Sequence, residues 1–261
     1  MKLDLTGKRA LVCGGSGGIG RAAAMELAEL GCEVTVLARS KEALDTTVEA
    51  LRSAGAPAAH ALAVDLDDLD GAVAIVAAHL KDVGDHHILV NNTGGPPGGP
   101  LLAAQDDDFL VPYKRHLLAA QRLTNLLLPG MKTAGYGRIV NVLSTSVREP
   151  IPGLGVSNTI RASVASWAKT LSRELPPGVT INSILPGFTD TDRLSSLGAA
   201  VAERTGTTPE TVRQGWIDVT PEGRLGRPEE LGAAVAWLCT PAAGFVRGVV
   251  LPVDGGRLNS I

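Results

Sequence analysis

Seven short apolar, β-branched runs punctuate the chain: Arg9–Cys13, Glu33–Leu37, Ala61–Val64, His87–Val90, Arg138–Leu143, Val179–Leu185 and Val249–Val253. Segments with helical spacing of apolar residues lie between them: Ile19–Leu30, Lys41–Ser53, Leu69–Lys81, a long one from Asp107 to Met131, Ser157–Leu175 and Pro228–Cys239. In the first of these, Ala22, Met25, Ala28 and Leu30 are expected to share a buried face, and Gly31 to close the helix. Runs apolar on both faces, alternating with helices, predict a parallel sheet covered on each side. The expected fold is a doubly wound α/β parallel sheet in three layers. No linker or repeat interrupts the rhythm, so residues 1–261 read as a single domain.

Two segments break the rhythm. Gly94-Gly-Pro-Pro-Gly-Gly-Pro100 can be neither helix nor central strand, and Leu194–Gly223 is a polar, helical insertion. Both follow strand carboxyl ends, where open α/β sheets bind ligands. They are expected to form a substrate rim, with a lid over 194–223. Pro112 is expected to delay or kink the long helix.

Composition narrows the partners. Net charge is −3 with no basic block, and aromatics are only 3%, so neither a phosphate-binding stripe nor a base-stacking platform is present. Nucleic acid is not an expected partner. The N-terminal MKLDLTGKRA has no apolar core of a signal peptide, and no apolar stretch is long enough to span a bilayer. Cys13, Cys32 and Cys239 make neither a disulfide framework nor a metal-ligand spacing. A cytoplasmic protein with buried free thiols and no metal is expected.

Cys13-Gly-Gly-Ser-Gly-Gly-Ile-Gly20 joins the first strand to the first helix. Glycines there permit a tight turn and close approach to a phosphate, and the helix start offers free N–H groups and partial positive charge. The reading is a Rossmann-type dinucleotide site, with Gly14, Ser16, Gly18, Ile19 and Gly20 against the cofactor. The second strand ends Val36-Leu-Ala-Arg-Ser40. An NAD site usually places an acid here for the ribose hydroxyls. Ala38 removes that acid, while Arg39, with Ser40 beside it, suits a 2′-phosphate, so NADP(H) is the expected cofactor.

The spacing Gly14-x-x-x-Gly18-x-Gly20 resembles that of the short-chain dehydrogenase/reductase family, and the resemblance covers nearly the whole chain. Asp65 resembles the family's adenine-contacting residue, and Asn91-Asn-Thr-Gly94 its Asn-Asn-Ala-Gly. Pro186-Gly187, followed by Thr189 and Thr191, is similar to the segment lining the nicotinamide, and Val253-Asp-Gly-Gly256 to the C-terminal signature. Within the family the chain looks most like 3-oxoacyl-(acyl carrier protein) reductases.

The resemblance implies hydride transfer between nicotinamide and a carbonyl carbon. Its tyrosine moves the proton, and a lysine four residues on lowers the tyrosine pKa and holds the nicotinamide ribose. A strand-end serine binds the carbonyl, and a helix asparagine completes the relay. The serine position falls on Ser144. The tyrosine position falls on Ser157 and the lysine position on Arg161, with the register fixed by Trp167-Ala-Lys-Thr-Leu-Ser-Arg-Glu174. The asparagine position falls on His116. A serine hydroxyl is a far weaker acid than a phenol. Arginine keeps the cation and can grip ribose hydroxyls, but is no relay base near neutrality. Of the two tyrosines, Tyr136 is expected at the wrong end of the sheet, and Tyr113 to face the core or a subunit contact. His116, with a pKa near working pH, is the expected proton source, while Ser144 and Ser157 bind the carbonyl oxygen.

The leading expectation is therefore an NADPH-dependent reductase of a small-molecule carbonyl substrate, ketone or 3-oxoacyl in type, with a non-standard proton donor. A dinucleotide-binding module without turnover, and a non-redox lyase or dehydratase with His116 as base, stay open. The resemblance also implies a homo-oligomer, tetramer or dimer, for which the apolar run Leu117–Leu128 would serve as an interface or equally as an internal core.

Overall fold

The computed structural model describes residues 1–260. Seven strands form one sheet: β1 (Arg9–Cys13), β2 (Glu33–Ala38), β3 (Ala59–Ala63), β4 (Ile88–Asn91), β5 (Gly137–Val142), β6 (Val179–Pro186) and β7 (Val250–Val253). Their order is β3-β2-β1-β4-β5-β6-β7, and every pairing is parallel. Alternation along β1 shows why both faces had to be apolar. Ala10 and Val12 pack into a cluster with α1 (Gly18–Glu29), α2 (Lys41–Ser53) and α9 (Pro228–Cys239). Leu11 and Cys13 point the other way, into a cluster with α3 (Leu69–Val83), α5 (Ala119–Thr133) and α6 (Gly155–Glu174). The expected three-layer, doubly wound single sheet is what the chain forms.

The buried face of α1 differs from the expected one. Ala23, Ala24, Leu27 and Ala28 are fully buried, whereas Met25 and Leu30 are only partly so. The helix is covered by the sheet on one side and by α9 on another, so its apolar stripe is wider than a single contact would need. Gly31, at φ +83°, closes it as expected.

The long helix is not continuous. It comprises α4 (Asp106–Tyr113), a π turn over Lys114–Leu118, and α5. Pro112 has no N–H for the carbonyl one turn earlier, and the ladder loosens just beyond it. That wider turn carries His116 into the interior. The run Leu117–Leu128 lies mostly against the sheet, with Leu123 and Leu127 buried in the core it shares with β1 and β4. Tyr113 does not face the core: it is exposed, together with Leu110 and Val111. The three cysteines are free and buried, and burial raises each thiol, Cys13 and Cys239 to about 12.

Residues 194–223 fold as two helices, α7 (Asp192–Thr205) and α8 (Pro209–Asp218). Phe188 stacks on Trp216, centroids 5.2 Å apart, and Gly198 gives the indole room on α7. The pair therefore rests on the segment leaving β6, directly above the sheet's carboxyl edge. No helix among the described residues is long and apolar enough to cross a membrane.

Candidate active site

The cleft opens where the strand order reverses, between β1 and β4. Gly14 turns out of β1 at φ +61°. A side-chain carbon at Gly20 would stand 2.2 Å from the Gly14 carbonyl oxygen, so only glycine lets α1 start this close to the strand. Gly20 thus serves by packing. No side chain caps α1, which leaves its first-turn N–H groups for a ligand. One end of the cleft is a cavity of about 340 Å³ lined by Ser16, Arg39, Ser40, Asp65 and Asn92. Arg39 is exposed and has no ion-pair partner among the described residues. Ser40 also caps α2, accepting from the Ala43 N–H. This end fits an adenosine 2′-phosphate: a free guanidinium beside a strand end without an acid.

Asn91 is not where the sequence suggested. Its Nδ2 donates to Asn141 Oδ1 at 2.9 Å, inside the sheet where the two are register partners. The next residue does the work at the cleft. Asn92 Nδ2 approaches the carbonyls of Cys13 and Gly14, at 3.4 Å each, tying β4 to the glycine loop. Strand alternation could have revealed this, since only one of two neighbouring asparagines can face the cleft.

The other end is a second cavity of about 340 Å³, lined among others by Gly18, Ile19, Gly94, Pro186, Thr191 and Arg161. Thr191 caps α7, accepting from the Leu194 N–H. Gly187 and Thr189 lie behind this wall: Thr189 Oγ1 donates to the Gly187 carbonyl, and both line a separate smaller cavity. Gly187 is required by packing, because a side-chain carbon there would meet Asp254 Cα at 2.7 Å.

The residues expected to be catalytic lie as follows. Arg161 Nη1 donates to the carbonyls of Val142 and Leu143, at 3.2 and 2.8 Å, just past β5. Its Nη2 points into the cavity. Burial, and then the charge of Arg193, pull this guanidinium down to about 10, which still leaves it cationic at neutrality. A side-chain carbon at Gly95 would stand 3.1 Å from Arg161 Nη2, 3.7 Å from Arg193 Nη2 and 4.0 Å from Ser157 Oγ. Ser157 is buried, with its hydroxyl near the Arg161 and Arg193 guanidiniums. Ser144 Oγ accepts from the Ser146 N–H at 3.1 Å, so its own proton remains available. Arg193 was not anticipated. It comes from the first turn of α7 and donates to the Pro96 carbonyl at 2.8 Å, joining α7 to the loop over residues 94–100.

His116 departs from expectation in its chemistry. Its Nε2 lies 3.1 Å from the Gly94 carbonyl, which can only accept, so Nε2 carries the proton. Nδ1 then accepts from Thr93 Oγ1 at 2.6 Å. Burial, and then the Arg161 charge, push its pKa down to about 3. The imidazole is therefore neutral at working pH, with both nitrogens engaged, rather than poised to titrate near 6.5. The same holds against its use as a base for dehydration. Tyr136 cannot substitute: its hydroxyl donates to the Cys239 carbonyl, at the amino end of β5, away from the cleft.

Comparison with known proteins gives concordant matches. A family profile described as Enoyl-(Acyl carrier protein) reductase matches residues 14–257. A 3-oxoacyl-(acyl-carrier-protein) reductase of Pseudomonas aeruginosa is 33% identical, over 99% of this chain and 100% of that protein. A 2,3-dihydroxy-2,3-dihydro-p-cumate dehydrogenase of Pseudomonas putida is 32% identical, over 97% of this chain and 95% of its own length. Among solved structures, L-sorbose reductase from Gluconobacter frateurii, complexed with NADPH and L-sorbose, superposes with a TM-score of 0.93 at 28% identity, each chain covered completely. A variant of the actinorhodin polyketide ketoreductase with NADPH superposes with a TM-score of 0.91 at 32% identity, over 97% of this chain and 98% of that one.

Proposed function

The chain belongs to the short-chain dehydrogenase/reductase family, and from that premise we propose that it is an NADPH-dependent reductase of small carbonyl compounds that works without the family's tyrosine and lysine. One observation carries the reading: Arg161 Nη2 and Ser157 Oγ converge beside Gly95, at the end of the cleft farthest from Arg39. The cofactor choice rests on Arg39 and on the absence of an acid at Ala38.

NADPH bound in this cleft supplies the hydride. The chain's own residues hold and polarise the carbonyl. Ser144 and Ser157 donate hydrogen bonds to its oxygen, and the nearby positive charge of Arg161 favours the negative charge that develops there. One well-placed donor of this kind is worth about 3 kcal/mol of barrier. The proton reaches the oxygen from water by way of Ser157, because His116 is neutral and occupied. His116 becomes a positioning residue that holds Thr93 and Gly94 against the cleft. Loss of a matched general acid costs about 10² to 10⁴ in rate, so turnover is slow relative to a member with tyrosine.

The second reading, a dinucleotide-binding module without turnover, is favoured by the same finding at His116, which removes the nearest titratable group. Labelled NADPH separates the two. Deuterium carried from C4 of the nicotinamide into an alcohol product supports the reductase. Tight NADPH binding with no label transfer over a broad carbonyl panel supports the module.

A further inference from the structure

Two guanidiniums at the carbonyl end of the cleft have no counter-charge among the described residues. Arg161 comes from α6, and Arg193 from α7. Both Nη2 atoms lie within 3.7 Å of one point beside Gly95, and Arg161 is held below its ordinary value by burial first and then by the charge of Arg193. Neither has a carboxylate within 4.0 Å among the described residues. Asp192 lines the same cavity but pairs with neither, and Asp190 is engaged by Arg213 at 3.3 Å. A third guanidinium, Arg204, stands 3.0 Å from the side-chain position of Gly153 and 4.0 Å from that of Gly98, on the outer side of the rim loop. It too has no ion-pair partner among the described residues. Like charges gathered in a half-enclosed space are costly unless an anion joins them.

We propose that Arg161 and Arg193 form an anion subsite for a carboxylate on the substrate, so that the substrates are small oxo acids rather than neutral ketones. This rests on the reductase reading for the identity of the site, though not on turnover. A carboxylate offers two oxygens to two forks, and guanidiniums are the side chains that match it in plane. Location favours the substrate over the cofactor's pyrophosphate as the source of the anion. The two groups meet at Gly95 and Ser157, between α6, the rim loop and α7, and Arg193 is already bonded to the rim at Pro96. The glycine loop lines the same cavity, but its uncapped helix start offers the pyrophosphate a site of its own.

The test is binding without chemistry. With NADP⁺ present, a ketone cannot be reduced, and calorimetry reads affinity alone. 2-Oxobutanoate and 4-oxopentanoate are each compared with their methyl esters. The acids should bind about ten-fold or more tightly than the esters, the worth of one charged hydrogen-bonded contact. Arg193→Met should bring acid and ester to within about two-fold, while NADPH affinity stays within the same factor; Arg193→Lys should restore part of the preference. Equal affinity for acid and ester, or no binding of either, overturns the proposal. So does an Arg193→Met protein that loses NADPH affinity and keeps its acid preference, since the arginine then serves the pyrophosphate. Acid preference without label transfer upholds the subsite and removes the reductase reading; turnover of neutral ketones without acid preference does the reverse.

Discussion

His116 Nδ1 accepts a hydrogen bond from Thr93 Oγ1 at 2.6 Å, on the residue pair that joins the π turn to the end of β4. Because the ring is neutral and pinned, its role is to fix the backbone at Thr93 and Gly94. The kcat profile should therefore show no inflection near pH 6.5. His116→Ala should lower stability by about 1–3 kcal/mol, the cost of orphaned buried partners, and weaken NADPH binding. An inflection near pH 6.5 that vanishes in His116→Ala would restore the histidine as proton source.

Acid stability follows from the same burial. His86 is held at about 4, chiefly by burial, with Nε2 against Thr35 Oγ1 at 3.0 Å, and His116 is held at about 3. A group whose folded pKa lies below its ordinary 6.5 contributes stability above that pH and loses it as pH falls toward the folded value. The unfolding free energy should drop between pH 6.5 and 4, by at most about 1.4 kcal/mol per pH unit for each group. Urea titrations at pH 7 and 5 read this directly. His86→Gln should flatten the slope, and an unchanged slope would show that other groups dominate.

Restoring the family's pair should restore its rate. Ser157 Oγ lies 4.0 Å from the side-chain position of Gly95, the point on which Arg161 also converges. The Ser157→Tyr/Arg161→Lys protein should turn over about 10² to 10⁴ faster, the usual worth of a matched general acid. NADPH affinity within about two-fold of the parent would confirm that the gain lies in proton transfer. No gain, in a folded protein that binds NADPH, would mean the carbonyl sits elsewhere.

Arg39 should discriminate between the dinucleotides. Arg39→Ala should weaken NADPH binding by about ten- to a hundred-fold, the range for a charged hydrogen-bonded contact, and leave NADH nearly unchanged. Fluorescence titration with both cofactors decides it. Equal losses would make the arginine a general electrostatic contributor.

Gly20→Ala tests the glycine loop without removing a polar group. Its methyl would press on the Gly14 carbonyl at 2.2 Å, which is backbone and cannot swing away. NADPH binding should fall at least ten-fold, with the loop displaced, since each 1.4 kcal/mol of strain is a factor of about ten. Unchanged affinity would place the phosphates away from this turn.

The sequence by itself determined the sheet, its helices on both faces and the glycine turn. All of these are local: period, turn chemistry and motif spacing are properties of neighbouring residues. Even the trouble at Pro112 was legible, though not the π turn that answered it. Tertiary structure decided what no local pattern contains. Of two adjacent asparagines, Asn91 went into the sheet with Asn141, and Asn92 turned to the glycine loop. His116 acquired its protonation state from burial and from Arg161, and Arg193 reached Pro96 across 97 positions of sequence. Charge and proton affinity depend on what surrounds a group in space, and segments far apart along the chain supply those surroundings.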